Sequence, residues 1–465
     1  MLRPTRIIRK IQAITVNKQV HRQALTATNV FALWQQQLDG APQVLVALSG
    51  GLDSTLLLHL LVEVVPLERI RAIHINHGLS PDADAWQAQA EAYCHSLGVA
   101  FYTETIEVVA DGEGLEAAAR SARYGVFRRV LEKDAVLLLG HHGDDQAETL
   151  LYRLMRGSGS KGLAGMPAQR DLGLGQLIRP LLPWSKAELQ HAAAERQLRW
   201  VEDGSNTDNR FDRNYLRNQV IPTIAYRWPD YARALGQSAA HATEAEQLAE
   251  ALAKEDLAQL ELRVERAGWS IAIGLLLSQS DLRQRNILRY WPATFGLPMP
   301  NGQIIDEITG SILSARDDGS PQVVWQSIQW RRFRGRLYMF QSQSAQFDQA
   351  QHWQWSLDRR LELADGSCLE VQEVTGEGLM LAPNDCLTVR YRQGGERCRP
   401  MGRGHSNSLK KLLQEFALEP WWRDRMPLLY VGETLVAVGD CWVCDGWQAG
   451  PQQQGKKIRW QVNCL

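Results

Sequence analysis

The sequence predicts an α/β protein, with a parallel sheet in its N-terminal part, then a helical segment, then a small α+β unit. Three observations predict this. Short apolar runs alternate with helical stretches from about residue 43 to 220. One of those runs stops at Ser-Gly-Gly, where a buried strand hands over to a helix. Beyond about 227 the apolar spacing settles near 3.6, and later it gives way to alternating aromatic and β-branched residues.

A chain of 465 residues exceeds one ordinary core, so two or three domains are expected. With 45% hydrophobic residues, 22% charged residues and a formal net charge of −1, the composition excludes a disordered chain. It also excludes a global attraction to nucleic acid, so any RNA contact has to come from locally clustered charge. Cys94, Cys368, Cys386, Cys398, Cys441, Cys444 and Cys464 are odd in number and scattered, with no secretory leader, which fits a reducing cytosol and a cytoplasmic protein. The basic opening "MLRPTRIIRKIQAITVNKQVHRQALTATN" reads as a transit peptide, a loose arm or a mis-assigned start. No apolar run approaches the roughly 20 residues that span a bilayer, so no membrane partner is expected.

In order along the chain, residues 1–40 form an extension without an assigned role, and residues 41–222 the parallel-sheet domain. Its strands are "QVLVAL", "IRAIHIN", "VAFYTETIEV" and "AVLLLG", and its helices "TLLLHLLVEVV", "DADAWQAQAEAYCHSLG" and "EGLEAAARSARYGVFRRVLEK". Residues 223–345 are expected to be mainly helical and 346–383 a β-rich connection. Residues 384–465 form the α+β unit, with an amphipathic helix at "NSLKKLLQEFAL".

The run "SGGLDS" places Ser49, Gly50, Gly51, Leu52, Asp53 and Ser54 at the strand-to-helix turn. Two glycines let the backbone approach a ligand closely, and the freed N–H groups, backed by the positive end of the helix, suit phosphate or pyrophosphate. Asp53 beside this nest would repel bare phosphate but suits a Mg²⁺ bridging phosphate oxygens. A plain tight turn is the structural alternative. "GPQQQGKK" at 450–457 has Walker-type spacing, but Lys457 replaces the metal-binding hydroxyl residue and a strand follows, so it reads as a hairpin. The segment "SGGLDS" resembles the signature of the PP-loop ATP pyrophosphatases. That resemblance implies an adenine nucleotide alpha hydrolase-like parallel sheet and cleavage of ATP between the α and β phosphates.

A second strand-to-helix turn, "GHHGDDQAET", brings His141, His142, Asp144, Asp145 and Glu148 to the same sheet edge. Helix capping with solvated charge is the alternative for His141 and Asp145. A zinc site lacks a cysteine or third histidine at ligand spacing, and "HINH" at 74–77 reads as loop histidines near the nucleotide. Arg120 and Arg123, three apart on one helix, share a face that is either ordinary surface or a cleft wall offsetting charge on the α-phosphate. "EDGSNTDNRFDRNYLRN" carries Asp203, Asn206, Arg213, Asn214 and Arg217 and reads as a solvated or substrate-facing loop.

Taken together and in this order, "SGGLDS", "HINHGL", "AAARSARY", "GHHGDDQAET", "RGSGSKGLAGM" and "EDGSNTDNRFDRNYLRN" closely resemble the tRNA(Ile)-lysidine synthetase family, as does the stretch from "VRYRQGGERCRP" to "LVAVGD" near the C-terminus. The resemblance implies that lysine is joined to C2 of the wobble cytidine in the CAU anticodon of tRNA(Ile), through an adenylated cytidine, with release of AMP and pyrophosphate. Decoding would change from AUG to AUA and identity from methionine to isoleucine. ATP, Mg²⁺, free L-lysine and the tRNA would be the co-reactants, and a homodimer is left open.

On that resemblance, residues Ser49 to Ser54 cradle pyrophosphate, Asp53 holds the metal, and Arg120 or Arg123 offsets adenylate charge. Asp145 and Glu148 recognise the lysine ammonium, and a carboxylate or His141 takes its proton. Between residues 390 and 425, nine basic residues face four acidic ones. Arg390, Arg392, Arg397, Arg403, Lys410 and Lys411 are the tRNA-binding candidates there. Trp421 and Trp422 read as core before nucleotide platforms. The C-x-x-C at Cys441 and Cys444 raises a PP-loop tRNA thiolase as the rival enzyme, and an ATP-sensing RNA adaptor is the non-catalytic rival.

Overall fold

The computed structural model describes residues 24–78, 80–107, 115–201, 209–316, 319–341, 348–382 and 385–462. It divides near residue 248 into two units. The first opens on two short helices, α1 (Ala27–Phe31) and α2 (Gln35–Gly40). Thr26 caps α1 through its side chain, and the guanidinium of Arg69 donates to the carbonyls of Leu38, Asp39 and Ala41, which the end of α2 leaves without helical partners. Part of the 1–40 extension is therefore core: Val30, Phe31, Trp34 and Leu38 are buried with the strands that follow.

Strand β1 (Val44–Ala47) leads into α3 (Leu52–Leu61), β2 (Ile70–Asn76) into α4 (Ala83–Leu97), β3 (Ala100–Thr105) precedes α5 (Leu115–Val130), and β4 (Val136–Leu138) leads into α6 (Gly143–Met155). After the short α7 (Ser160–Leu163) come the hairpin β5 (Gln169–Leu172) and β6 (Gly175–Ile178), then α8 (Lys186–Glu195). The strand order is β3-β2-β1-β4-β6-β5, parallel except for β5. Both faces are covered: Val44, Val46, Val136 and Leu138 join one core, Leu45 and Leu137 the other. That two-sided burial is why these strands read as unbroken apolar runs. The order reverses between β1 and β4, so the helices that leave these neighbours start side by side at the sheet's C-terminal edge.

The chain continues through α9 (Asp212–Tyr215), a π-helical turn (Leu216–Val220) and α10 (Ile221–Arg227) into the long α11 (Tyr231–Ala258). Arg213, Asn214 and Arg217, expected on a loop, thus lie on helical turns; the polar density of the segment hid the spacing of Leu216, Val220 and Ile224.

In the second unit, the stretch expected to be mainly helical carries strands beside its helices, within residues 263–341. The result is a five-stranded antiparallel sheet in the order β7-β8-β11-β10-β9, built from β7 (Arg263–Val264), β8 (Trp269–Ala272), β9 (Gln322–Trp325), β10 (Ile328–Phe333) and β11 (Arg336–Gln341). Against it lie α12 (Ile273–Leu277), α13 (Asp281–Thr294) and α14 (Gly302–Glu307), with Trp291, Trp330 and Ile308 in their shared core. Residues 346–383 do more than connect. Strand β12 (His352–Trp355) pairs with β15 (Leu387–Tyr391), and β14 (Cys368–Thr375) pairs with β13 (Leu361–Glu362) and with the last strand at Gln454–Gln461, so this segment supplies strands to the C-terminal sheets. The amphipathic helix predicted near the C-terminus spans Leu409–Glu415 and buries Leu409, Leu412 and Leu413.

Candidate active site

The turn between β1 and α3 is built by its own hydroxyls. Ser54 Oγ accepts from the Ser49 N–H at 3.1 Å and lies 3.0 Å from Ser49 Oγ, while Ser49 Oγ accepts from the Gly51 N–H at 3.4 Å. Gly50 has φ +86°, a conformation that side chains rarely adopt, and its carbonyl accepts from the Val201 N–H at 2.9 Å. The first turn of α3, from Gly51 onward, leaves N–H groups without intrahelical acceptors, the arrangement that an anion-binding edge requires.

Opposite it, α6 begins at His142, whose N–H donates to Asp145 Oδ2 at 3.1 Å. The two helix starts touch through Gly140: a Cβ there would lie 3.1 Å from the backbone of Asp53 and Ser54. Between them opens a cavity of about 790 Å³. Ser49, Gly51, Leu52, Asp53 and Ser54 line it, as do Arg120, Arg123, His141, Asp145, Glu148 and Arg217. Gly50 stands behind the wall, and Arg213 places its guanidinium over the Tyr152 ring at 5.9 Å. Asn214 is not part of the lining, and Asp203 and Asn206 fall outside the described residues.

The charges are organised around two adjacent histidines held in opposite states. His142 is buried among three carboxylates, with Nδ1 3.6 Å from Asp144 and Nε2 3.5 Å from Asp145 and 3.7 Å from Asp53. Burial pulls its pKa down, but Asp144, Asp145 and Asp53 together raise it to about 9, so it is an imidazolium at neutral pH. His141 goes the other way: burial, then the charges of Arg179, Arg120 and Arg123, hold it at about 3 against the pull of Asp145. Burial works against the Asp144 carboxylate too, yet His142, the Tyr231 hydroxyl and the Lys186 N–H bring its pKa to about 2.

Asp53 is raised, because burial outweighs the attraction of His142 and Asp145 adds repulsion; its Oδ1 is buried with no hydrogen-bond partner among the described residues. Arg217 grips Glu148 with two bonds of 2.6 and 2.7 Å and reaches Asp145 Oδ1 at 3.4 Å. In the nucleotide-free protein, the stability supplied by His142 should be fully present below pH 6.5 and lost as pH rises through about 9, an effect on the order of 3 kcal/mol. Thermal unfolding of wild type and His142→Gln should therefore differ at pH 6 and converge by about pH 10.

Sequence reasoning alone missed Arg179, Lys186 and Tyr231. Arg179 is 2% exposed and follows the strand "GQLI", a position at the sheet's C-terminal edge that signals a residue beside the cleft. Lys186 and Tyr231 carry no comparable signal.

In the second unit, most of the basic candidates have acidic partners. Arg390 pairs with Glu433 at 3.2 Å, Arg392 with Asp424 at 3.0 Å, and Arg403 with Glu415, which also lies 3.9 Å from Lys411. Arg397 bonds the Ser406 carbonyl at 3.0 Å and is exposed, as is Lys410. Trp422 is buried, and Trp421 stacks on Phe340 at 5.7 Å, so both belong to the core. Cys444 is buried with its thiol against Cys398, which burdens the thiolase reading.

Comparison with known proteins agrees with this architecture. Residues 17–224 match the model of the PP-loop domain, residues 272–338 that of the TilS substrate binding domain, and residues 387–460 that of the TilS substrate C-terminal domain. The chain is 38% identical over 421 residues to the tRNA(Ile)-lysidine synthase of Coxiella burnetii, covering 90% of this chain and 92% of the relative. It is 40% identical over 433 residues to that of Serratia proteamaculans, covering 92% and 97%, and 41% identical over 402 residues to that of Xanthomonas campestris, covering 85% and 90%. With that identity sustained across nearly the whole length of each relative, the chain belongs to the tRNA(Ile)-lysidine synthase family.

Proposed function

We infer that this enzyme ligates L-lysine to C2 of the wobble cytidine of tRNA(Ile) with a CAU anticodon, consuming ATP and releasing AMP and pyrophosphate. The observation that carries the reading is one cavity holding both an anion-binding helix start and, across Gly140, an acidic one. The first grips the leaving pyrophosphate through the backbone N–H groups of the first turn of α3, Leu52 to Ser54. The second presents carboxylates to an amine.

A divalent cation fits the cleft: the orphaned Oδ1 of Asp53 stands at the phosphate edge. No group of three or more potential ligands forms a ready-made metal cage among the described residues, which suits Mg²⁺ completed by phosphate oxygens and water. When bound, it would neutralise charge on the leaving pyrophosphate.

Arg120 and Arg123 face the same cavity and offset charge on the α-phosphate as the cytosine O2 displaces pyrophosphate. Asp145 and Glu148, shaped by Arg217, then receive lysine, whose ε-amine must lose a proton before it attacks C2 and expels AMP. The wobble base leaves its stack to enter, a small cost in an unpaired anticodon loop.

Incubation with tRNA(Ile) transcript, ATP and labelled lysine tests this. Label in the RNA with matching AMP supports ligation; AMP formation that requires a sulfur donor supports the thiolase instead, and no turnover supports the adaptor. No helix among the described residues is long and apolar enough to cross a membrane. For tRNA affinity, the double substitution of Arg397 and Lys410 by Ala should lower the slope of log K against log salt by about 2, while removing Arg390, already matched by Glu433, should change it less. Binding measured between roughly 50 and 300 mM salt checks this.

A further inference from the structure

Arg179 stands at the end of β6, 2% exposed, against two side chains that line the cleft, Tyr124 and His141. Its guanidinium has three acceptors: the Pro167 carbonyl at 2.7 Å, the Tyr124 hydroxyl at 3.3 Å and His141 Nδ1 at 3.3 Å. The last contact decides the chemistry of the neighbouring ring. An arginine offers only N–H groups, so the imidazole nitrogen facing it must offer a lone pair. An imidazolium has no lone pair, and the tautomer with its proton on Nδ1 would oppose hydrogen to hydrogen. The single ring proton is thereby assigned to Nε2.

We propose that His141 serves this enzyme as a fixed neutral hydrogen-bond donor, through Nε2–H, to the negatively charged α-phosphoryl oxygens of the nucleotide and of the adenylated base, with Arg179 as the positioning residue that sets its tautomer. The proposal rests on the function inferred above and deepens it. His141 lines the cavity together with Arg120 and Arg123, so its N–H joins a wall that already favours anions. The same arginines, with burial, keep the ring uncharged. A neutral donor costs less to bury than another cation and needs no reorganisation as charge develops. Removal of the lysine proton then falls to a carboxylate of α6, Asp145 or Glu148, not to His141.

The test separates donor from base. Adenylation is followed as pyrophosphate release in single turnover on tRNA(Ile) transcript without lysine, and transfer as labelled lysine incorporation. His141→Gln, which keeps an N–H in place of the ring Nε2–H, should retain most of the adenylation rate. His141→Ala should lose about 10²-fold, as when one oxyanion donor is removed. His141→Glu, an acceptor with no N–H, should lose at least as much. A Glu variant that outperforms the Gln variant overturns the proposal.

Histidine ring ¹⁵N spectra of the wild-type protein, with His141 assigned through its own side-chain bonds, give a second measurement independent of whether the variants fold. Nδ1 should resonate as an unprotonated nitrogen and Nε2 as a protonated one; the reverse pattern, or two protonated nitrogens, also overturns it. Failure of the wild-type protein to adenylate tRNA(Ile) would instead overturn the function, while the ring spectra still decide the tautomer.

Discussion

Replacing Asp53 with Asn should lower pyrophosphate release by about 10²- to 10³-fold while leaving tRNA affinity within about twofold. The side chain keeps its shape but loses the charge that a cation requires, and Oδ1 has no other partner to lose. Burial already disfavours the Asp53 carboxylate, so thermal stability at neutral pH should hold or rise even though the attraction to His142 is removed. Activity and stability thus move independently, and that separation distinguishes a metal carboxylate from a structural one. Rapid quench of labelled pyrophosphate, set beside filter binding of tRNA, makes the measurement. Undiminished release would remove Asp53 from the metal.

Arg217→Ala should be costly in both respects. It strips a two-pronged partner from Glu148, whose side chain is 8% exposed, and one contact from Asp145. Breaking a buried pair from one side costs several kcal/mol; because the Arg217 side chain stays 35% exposed, about 2–3 kcal/mol is expected. The sign with pH follows from Glu148. Burial raises its folded pKa above 4.5, and Arg217 opposes that rise. An acid raised on folding is favoured in its protonated form, so the defect should be greatest at neutral pH and shrink as pH falls toward 4.5. Urea titrations of both proteins at pH 7.5 and 5 read this directly, and a defect that grew in acid would contradict the pairing. On the proposed function, lysine transfer should fall more than adenylation, because the disturbed carboxylates are those proposed to receive the second substrate.

Both helix starts of the cleft were legible in the sequence, since a buried apolar run ending in glycine or paired histidines and resuming as a helix leaves few alternatives. That they adjoin was not, because strand order alone makes β1 and β4 neighbours. Arg217 and Glu148 are 69 residues apart, and nothing in either segment announces the pairing. Helices α1 and α2 were overlooked, although Val30, Phe31, Trp34 and Leu38 carry a helical period, because the basic text before them drew the whole stretch into one category. Counting charge between 390 and 425 overstated the positive surface for a different reason: a count is blind to Glu433, which neutralises Arg390 from outside the window.

Gly140 leaves a lasting mark on what this cleft can become. With the backbone of Asp53 and Ser54 already close to where any β-carbon would sit, the edge proposed to activate the nucleotide and the edge proposed to receive the amine have no slack between them, and a bulkier residue there should spoil both half-reactions at once. Room for a longer or branched nucleophile would have to be carved elsewhere in the lining, leaving the glycine seam untouched while selectivity drifts around it.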